Sequence, residues 1–121
     1  MNTTAIGNHG EDAAVNYLKN KGYTIVSRNY KVKFAEIDVI AYNKSGVLCF
    51  VEVKTRKTSD FGYAYEAVDF RKQRKINQGA IAYIMANNIS SEIQFDVVEV
   101  YGKYSSQGFS VSKINHIENA F

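Results

Sequence analysis

Two neighbouring stretches in the middle of the chain have the hydrophobic pattern of paired β-strands. Residues 34–42, FAEIDVIAY, alternate between apolar and polar positions, and residues 47–54, VLCFVEVK, are almost continuously apolar. The intervening NKSG fits a type I turn followed by a left-handed glycine, which closes a three-residue hairpin loop. That loop pairs Tyr42 with Leu48, Ile40 with Phe50, and Asp38 with Glu52. A two-residue loop would shift the register by one position and scatter the charges over both faces.

The rest of the chain alternates between helical and extended patterns, with Gly22 and Asp69 at two predicted helix ends. In chain order the predictions are a helix at 8–21, a strand at 23–30, the two hairpin strands, a basic and aromatic loop at 55–65, a helix from about 69 to 87, a strand at 93–101, a loose stretch GKYSSQG, and an edge strand at 109–117. The order αβββαβ predicts an α/β fold, with a mixed sheet flanked by helices, in a single domain over residues 1–121.

Charged residues interrupt the hairpin strands on one face. In the predicted register the other face is apolar almost throughout: Ala35, Ile37, Val39, Ala41, Cys49, Val51 and Val53. The interrupted face is apolar near the turn and then carries Glu36, Asp38, Glu52 and Lys54. On the first helix, Glu11 follows the spacing of Ala14, Val15 and Leu18, so it points inward. On the second helix, Lys72 shares a stripe with Ile76, Gly79 and Tyr83.

Carboxylates that gather on a half-buried surface repel one another, and a divalent cation relieves that repulsion. Mg²⁺ or Mn²⁺ takes hard oxygen ligands, and we expect Asp38, Glu52 and the backbone carbonyl of Val53 to supply them. Lys54 would then orient the attacking water or stabilise charge on the phosphorane. This pattern is typical of a phosphodiesterase. The alternative is that the acid and base two residues apart form an ordinary surface ion pair.

Basic residues beside these acids suit a phosphate backbone: Arg56, Lys57, Arg71, Lys72, Arg74 and Lys75. Phe61, Tyr63 and Tyr65 in the predicted loop could stack on unpaired bases. Solubility alone also explains basic loops and helix faces. His9 and His116 have no metal-ligand partners at useful spacing, so both are predicted to be surface residues.

Composition sets further limits on the class of protein. The 121 residues carry a formal net charge of +3 and one cysteine, Cys49, which lies in an apolar run. A single cysteine forms no disulfide within the chain and fits a reducing compartment. No apolar segment approaches the roughly 20 residues that span a bilayer. The first residues lack the layout of a signal peptide. We therefore expect a cytoplasmic protein with no membrane contact.

Several motifs in the same order resemble the YraN-like family of small bacterial proteins, which is assigned to the PD-(D/E)XK nuclease superfamily. They cover nearly the whole chain: GEDAAVNYL at 10–18, RNY at 28–30, AEIDVIA at 35–41, FVEVKTR at 50–56, RKQRKI at 71–76, FDVVEV at 95–100 and HIENAF at 116–121. The resemblance implies a restriction-endonuclease-like fold related to junction resolvases. It places the metal carboxylates on Asp38 and Glu52 and the catalytic lysine on Lys54.

The same resemblance assigns supporting roles. Glu11 would be an accessory helical acid that contacts the metal directly or through water, Glu36 a supporting acid, and Lys72 the lysine of the second helix. The sequence departs from the pattern at two positions: Ile37 stands where a proline precedes the aspartate, and Ala35 replaces a glycine. Neither change removes a catalytic group.

These observations favour a metal-dependent nuclease acting on branched or structured DNA. A nucleic-acid-binding module that keeps the fold without cutting is the first alternative. An interaction protein with a purely structural charge cluster is the second. The analogy with resolvases, which cut two strands symmetrically, also suggests a homodimer, although no residue pattern requires one.

Overall fold

A five-stranded mixed sheet with one helix against each face forms the fold. The computed structural model describes residues 3–57 and 69–121, with residues 3–8 described by backbone alone. In chain order the elements are α1 (Thr3–Asn20), β1 (Thr24–Val32), β2 (Ala35–Tyr42), β3 (Leu48–Lys57), α2 (Phe70–Asn87), β4 (Ile93–Ser105) and β5 (Gly108–Ile117). The strands lie in the order β1-β2-β3-β4-β5, and β3 and β4 run parallel while the other neighbours are antiparallel. The α/β class is confirmed and is consistent with a restriction-endonuclease-like core.

Both helices end where capping chemistry predicts. At the end of α1, the N–H of Tyr23 donates to Leu18 O (2.9 Å) and that of Gly22 donates to Lys19 O (3.0 Å), with Gly22 at φ 95°. These two bonds satisfy carbonyls that the helix leaves unpaired. At the start of α2, the side chain of Asp69 accepts from Lys72 N, and Asn88 ends that helix in the left-handed conformation.

The predicted hairpin register is confirmed near the turn, but the ladder between β2 and β3 is shorter than predicted. Tyr42 pairs with Leu48 and Ile40 with Phe50, and Gly46 has φ 81°. In the described chain the β2–β3 ladder extends only to Val39 and Val51. Beyond that pair β2 continues along β1, while β3 continues along β4 as far as Lys57. The two strands therefore separate, and Asp38 and Glu52 lie at the resulting fork instead of in the ladder.

The predicted faces of β2 are wrong for its first residues. Val39 packs in the core on the α1 side, whereas Ile37, two residues earlier, packs in the core on the α2 side. Asn29 on β1, which lies between the pairs Arg28–Val39 and Tyr30–Ile37, has φ 53°. A left-handed residue inside a strand rotates the backbone locally, so the β1–β2 ribbon changes sides at Asp38.

Residues 55–65 and 102–108 were predicted as a loop and a loose stretch, but both segments begin as continuations of a strand. β3 runs to Lys57 because the parallel β3–β4 ladder continues to the pair Lys57–Gly102, and β4 runs to Ser105 because it pairs with β5 as far as Ser105–Gly108. Most of the predicted 55–65 loop, with Phe61, Tyr63 and Tyr65, lies outside the described residues.

Glycines let both helices approach the sheet closely. A Cβ on Gly10 would collide with Oγ1 of Thr55, so α1 passes directly over the end of β3. A Cβ on Gly79 would lie 3.1 Å from Ile37 Cδ1, which brings α2 against β2. Both helices are thus held close to the fork. Neither described helix is long and apolar enough to cross a membrane.

Candidate active site at the strand fork

Asp38 takes the place of a missing ladder hydrogen bond at the fork. Its Oδ2 accepts from the backbone N–H of Val53 at 2.8 Å, where β3 has no partner residue on β2. Burial raises the pKa of Asp38, as do the nearby charges of Glu11 and Glu36, against the lowering effects of Val53 N–H and Lys72. The side chain is fixed in place and yet poorly suited to hold its charge.

Glu52 on β3 is the least satisfied acid of the site. It is 6% exposed, and burial followed by the charge of Asp38 raises its pKa to about 7. Its Oε1 lies 3.5 Å from Lys72 Nζ. Among the residues that the structure describes, its Oε2 is buried and has no hydrogen-bond partner. A buried carboxylate oxygen that accepts no hydrogen bond destabilises the folded protein unless a ligand or a water molecule interacts with it.

Glu11 reaches the fork from α1. It is 7% exposed, while its neighbour Asp12 is exposed, as the helical spacing predicts. Its Oε1 accepts from Arg28 Nε at 3.1 Å and from Asn29 Nδ2 at 3.0 Å. It lies near enough to Asp38 for its charge to raise the pKa of that carboxyl group. Arg28 and the left-handed Asn29 hold Glu11 at the point where the β1–β2 ribbon changes sides. We call Glu11, Asp38 and Glu52 the acid cluster.

Two lysines border the acid cluster from different elements. Lys54, two residues after Glu52 on β3, is half-buried, and its positive charge lowers the pKa of Glu52. Lys72, in the first turn of α2, lowers it more strongly and contacts it directly. Of the predicted inward stripe of α2, Ile76, Gly79 and Tyr83 are buried, whereas Lys72 at its start is exposed.

The remaining predicted ligands lie beside the cluster. The N–H and C=O of one strand residue point toward the same neighbouring strand, so the carbonyl of Val53 faces the side from which Asp38 accepts its N–H. Glu36 is exposed and close enough to Asp38 to raise its pKa. Both positions are compatible with the predicted roles, which stay predictions.

The predicted phosphate-binding residues are not equally placed. Lys57, Arg71, Lys72, Arg74 and Lys75 are exposed. Arg56 is instead half-buried, with Nε 3.6 Å from Oε2 of the buried Glu99. Asn115 Nδ2 also donates to Glu99, at 2.9 Å. Arg56 thus serves an ion pair within the sheet, a role that its position in a basic stretch of sequence did not reveal.

The donor set of the acid cluster suits a hard divalent cation. Its three side chains offer carboxylate oxygens, which Mg²⁺ and Mn²⁺ favour over softer ligands. The unpartnered Oε2 of Glu52 and the raised pKa values of Asp38 and Glu52 mark a place where positive charge would lower the free energy. The donor chemistry of Asp38 and Glu52 is therefore compatible with such an ion.

A second polar cluster surrounds the buried Asp96, and no sequence pattern predicted it. Asp96, His116 and Glu118, which we call the histidine cluster, place ligand atoms within 4.8 Å of one another. The predicted surface position of His116 is wrong, because its side chain is 1% exposed. His116 lies on β5, next to a polar tail. The burial of β5 does not alternate regularly, so no periodic pattern marked His116 as an inward residue.

The histidine cluster is internally satisfied. Asp96 accepts from Gln94 Nε2 (3.0 Å) and Asn119 N (3.1 Å), and His116 Nε2 lies 2.9 Å from it. His116 Nδ1 lies 3.0 Å from Lys21 Nζ. Because an ammonium group only donates, Nδ1 accepts and Nε2 donates to Asp96.

A tyrosine and a thiol complete the surroundings of this cluster. The hydroxyl of Tyr23 donates to Glu118 Oε1 at 3.1 Å. Burial, followed by the charge of Asp96, raises the pKa of that hydroxyl. Burial, followed by the charges of Asp96 and Glu118, raises the pKa of Cys49 to about 12. The thiol is therefore protonated and unreactive, as expected of a buried small apolar residue.

Comparison with known sequences places the chain in a family. The sequence model of the family described as "Uncharacterised protein family UPF0102" matches residues 10–100. The chain is 44% identical over 122 residues to a UPF0102 protein of Caldanaerobacter subterraneus subsp. tengcongensis, covering 100% of this chain and 98% of that protein. It is 45% identical over 122 residues to one from Clostridioides difficile, covering 100% of both. A UPF0102 protein of Dictyoglomus turgidum is 42% identical over 122 residues, again covering 100% of both chains. The resemblance expected from the motifs is confirmed: the chain belongs to the UPF0102, or YraN-like, family.

Proposed function

We propose that this protein is a divalent-metal-dependent nuclease of the PD-(D/E)XK type that hydrolyses phosphodiester bonds in branched or structured DNA. One observation carries the proposal: the charge of Glu11 on α1 acts on Asp38 of β2, the charge of Asp38 acts on Glu52 of β3, and one buried oxygen of Glu52 has no donor among the described residues. An acid cluster with a purely structural role would be expected to satisfy its buried oxygens internally.

The residues have distinct tasks in this proposal. Asp38 and Glu52 hold Mg²⁺ or Mn²⁺, with the carbonyl of Val53 and with Glu11 directly or through water. When bound, the ion supplies Lewis-acid stabilisation of the phosphate and acidifies a water molecule. Lys54 orients the attacking water and offsets negative charge at the phosphorus. Lys72 and the exposed basic residues of α2 contact the backbone of the substrate.

Cleavage assays with matched variants test the proposal. Junctions, flaps, single strands and duplexes of one sequence are incubated with Mn²⁺ or Mg²⁺. We expect cleavage by the wild-type protein and a loss of at least about 100-fold for Asp38→Asn, a change that removes a metal ligand with little change of shape. Glu118→Gln, in the histidine cluster, is the matched control and should cut at the wild-type rate.

Two results would argue against the nuclease. One is the absence of cleavage of every substrate with either ion. The other is equal cleavage by the wild-type protein and Asp38→Asn. Salt-sensitive DNA binding that survives Asp38→Asn without any turnover would favour the non-cutting binding module instead.

A further inference from the structure

A groove beside the β1–β2 hairpin adjoins the acid cluster. It has a volume of ≈ 340 Å³, and its lining is Lys31, Val32, Phe34, Ala35, Glu36, Lys72 and Lys75. Lys72 connects the two regions, because its Nζ lies 3.5 Å from Glu52 Oε1. Glu36 connects them a second time through its charge on Asp38. The groove and the acid cluster are therefore neighbours that share Lys72.

An exposed aromatic ring stands at the mouth of this groove. Val32 pairs with Ala35, so Lys33 and Phe34 form the hairpin tip, and Phe34 is 71% exposed. Lys33 Nζ lies 5.3 Å from the centroid of that ring. A large apolar side chain kept in water on a two-residue turn contributes little to the core, and it offers a flat face to a planar ligand.

The charge around the ring selects the class of planar ligand. Three lysines and one glutamate line the groove, and Lys33 adds a further positive charge at its mouth. Aromatic faces among lysines are the arrangement that binds single-stranded nucleic acid, with bases stacked on rings and phosphates near ammonium groups. Paired bases inside a duplex have no free face for such a ring. The groove therefore suits an unpaired nucleotide.

We propose that this groove binds an unpaired nucleotide of the substrate, with its base stacked on Phe34 and its flanking phosphates at Lys31, Lys72 and Lys75. The inference rests on the proposed function and deepens it. The feature of the substrate that the protein recognises is then an unpaired nucleotide next to the scissile strand. DNA and RNA share this chemistry, and parallel titrations with oligothymidylate and oligouridylate identify the preferred source.

A single tryptophan tests the proposal without any need for cleavage. The chain contains no tryptophan, so Phe34→Trp introduces one fluorophore at the hairpin tip. Titration in EDTA at low salt with oligothymidylate or oligouridylate should quench its emission, because a stacked base contacts the indole ring. Met85→Trp is the matched control: Met85 is 74% exposed and lies about 20 Å along α2 from Lys72. Its emission should not change.

Two further titrations separate stacking from charge. A fully paired duplex of equal length and heparin, a polyanion without bases, should leave the emission of the Phe34→Trp protein almost unchanged. Equal quenching by either of these, equal quenching of the Met85→Trp protein, or no quenching by the single strands would overturn the proposal.

Affinity measurements supply a second readout on the native ring. By fluorescence anisotropy with a labelled single strand, Phe34→Leu should weaken binding between about 5-fold and 150-fold, the range for loss of one stacked base. Phe34→Tyr, which keeps a stacking face, should bind with an affinity close to that of the wild-type protein. An unchanged affinity of Phe34→Leu would contradict the proposal. Quenching in a protein that cuts nothing would retain this site and reject the nuclease, whereas cleavage without quenching would do the reverse.

Discussion

The acid cluster and the histidine cluster each contain a deeply buried carboxylate, yet the hydrogen bonding of these two carboxylates differs. Asp96, at 0% exposure, receives donors from a glutamine, a histidine and a backbone N–H. Glu52 is buried to nearly the same extent. One of its oxygens lies beside the half-exposed Lys72, and the other has no donor in the described chain. Asp96 shows that this fold can supply hydrogen-bond donors to both oxygens of a buried carboxylate. The contrast supports the proposal that the acid cluster binds a divalent cation.

The comparison predicts that neutralising Asp96 destabilises the protein, whereas neutralising Glu52 stabilises it. The effect at Asp96 is the largest. Asp96→Ala leaves the buried His116 side chain and the partly buried Gln94 with unpaired donors and should lower the free energy of unfolding by about 3–5 kcal/mol. Urea denaturation measures this change. Glu92→Ala, at an exposed acid just before β4, is the control and should change stability by less than about 0.5 kcal/mol. A loss under about 1 kcal/mol at Asp96 would show that its network is not structural.

Neutralising Glu52 should instead stabilise the metal-free protein. Its folded pKa of about 7 lies above the ordinary value of 4.5. The folded state thus holds the proton more tightly than the unfolded state. Stability is highest below the unfolded pKa, falls as the pH rises from about 4.5 to 7, and stays low above that range. Glu52→Gln keeps the uncharged form, so it should gain on the order of 2–3 kcal/mol over wild type at about pH 8 and little at about pH 4.

Thermal unfolding in EDTA between about pH 4 and pH 8 measures that difference. The wild-type melting temperature should decline across this interval more steeply than that of Glu52→Gln. Mn²⁺ at the alkaline end should restore the wild-type protein and leave the variant unchanged, because binding to the folded state adds stability by mass action. A variant that is less stable than wild type at that end would mean that the charge of Glu52 is already satisfied within the protein.

The backbone at Asn29 links the acid cluster to the twist of the sheet. A left-handed conformation costs an ordinary residue about 1–2 kcal/mol, whereas glycine adopts it freely. Asn29 has φ 53° and donates to Glu11, so Asn29→Ala loses both the conformational tolerance and the hydrogen bond. We expect Asn29→Gly to be about 1 kcal/mol more stable than Asn29→Ala by urea denaturation. Equal stability of the two variants would show that the ribbon does not depend on this conformation.

Much of this arrangement followed from local sequence patterns. The NKSG turn fixed the pairing of Tyr42 with Leu48, and helical spacing placed Glu11 inward. The fork did not follow, because it depends on β3 leaving β2 for a parallel partner that lies about 45 residues later in the chain, as in the pair Glu52–Val97. The same limit applies to Asp96 and His116. Their network forms between β4 and the end of β5, and neither strand shows a periodic pattern that indicates it.

The smallest expected effect separates the two lysines of α2 that line the groove. Lys72 lowers the pKa of Glu52, and its side chain is 45% exposed, so Lys72→Met should cost at most about 1 kcal/mol of stability directly. Without that charge the pKa of Glu52 rises further, and the fall in melting temperature in EDTA should occur at a higher pH. Lys75→Met, at an exposed lysine one position before the buried Ile76, should leave the midpoint unchanged. If both variants shifted the midpoint equally, the acid cluster would be responding to the overall charge of the helix and not to its contact with Lys72.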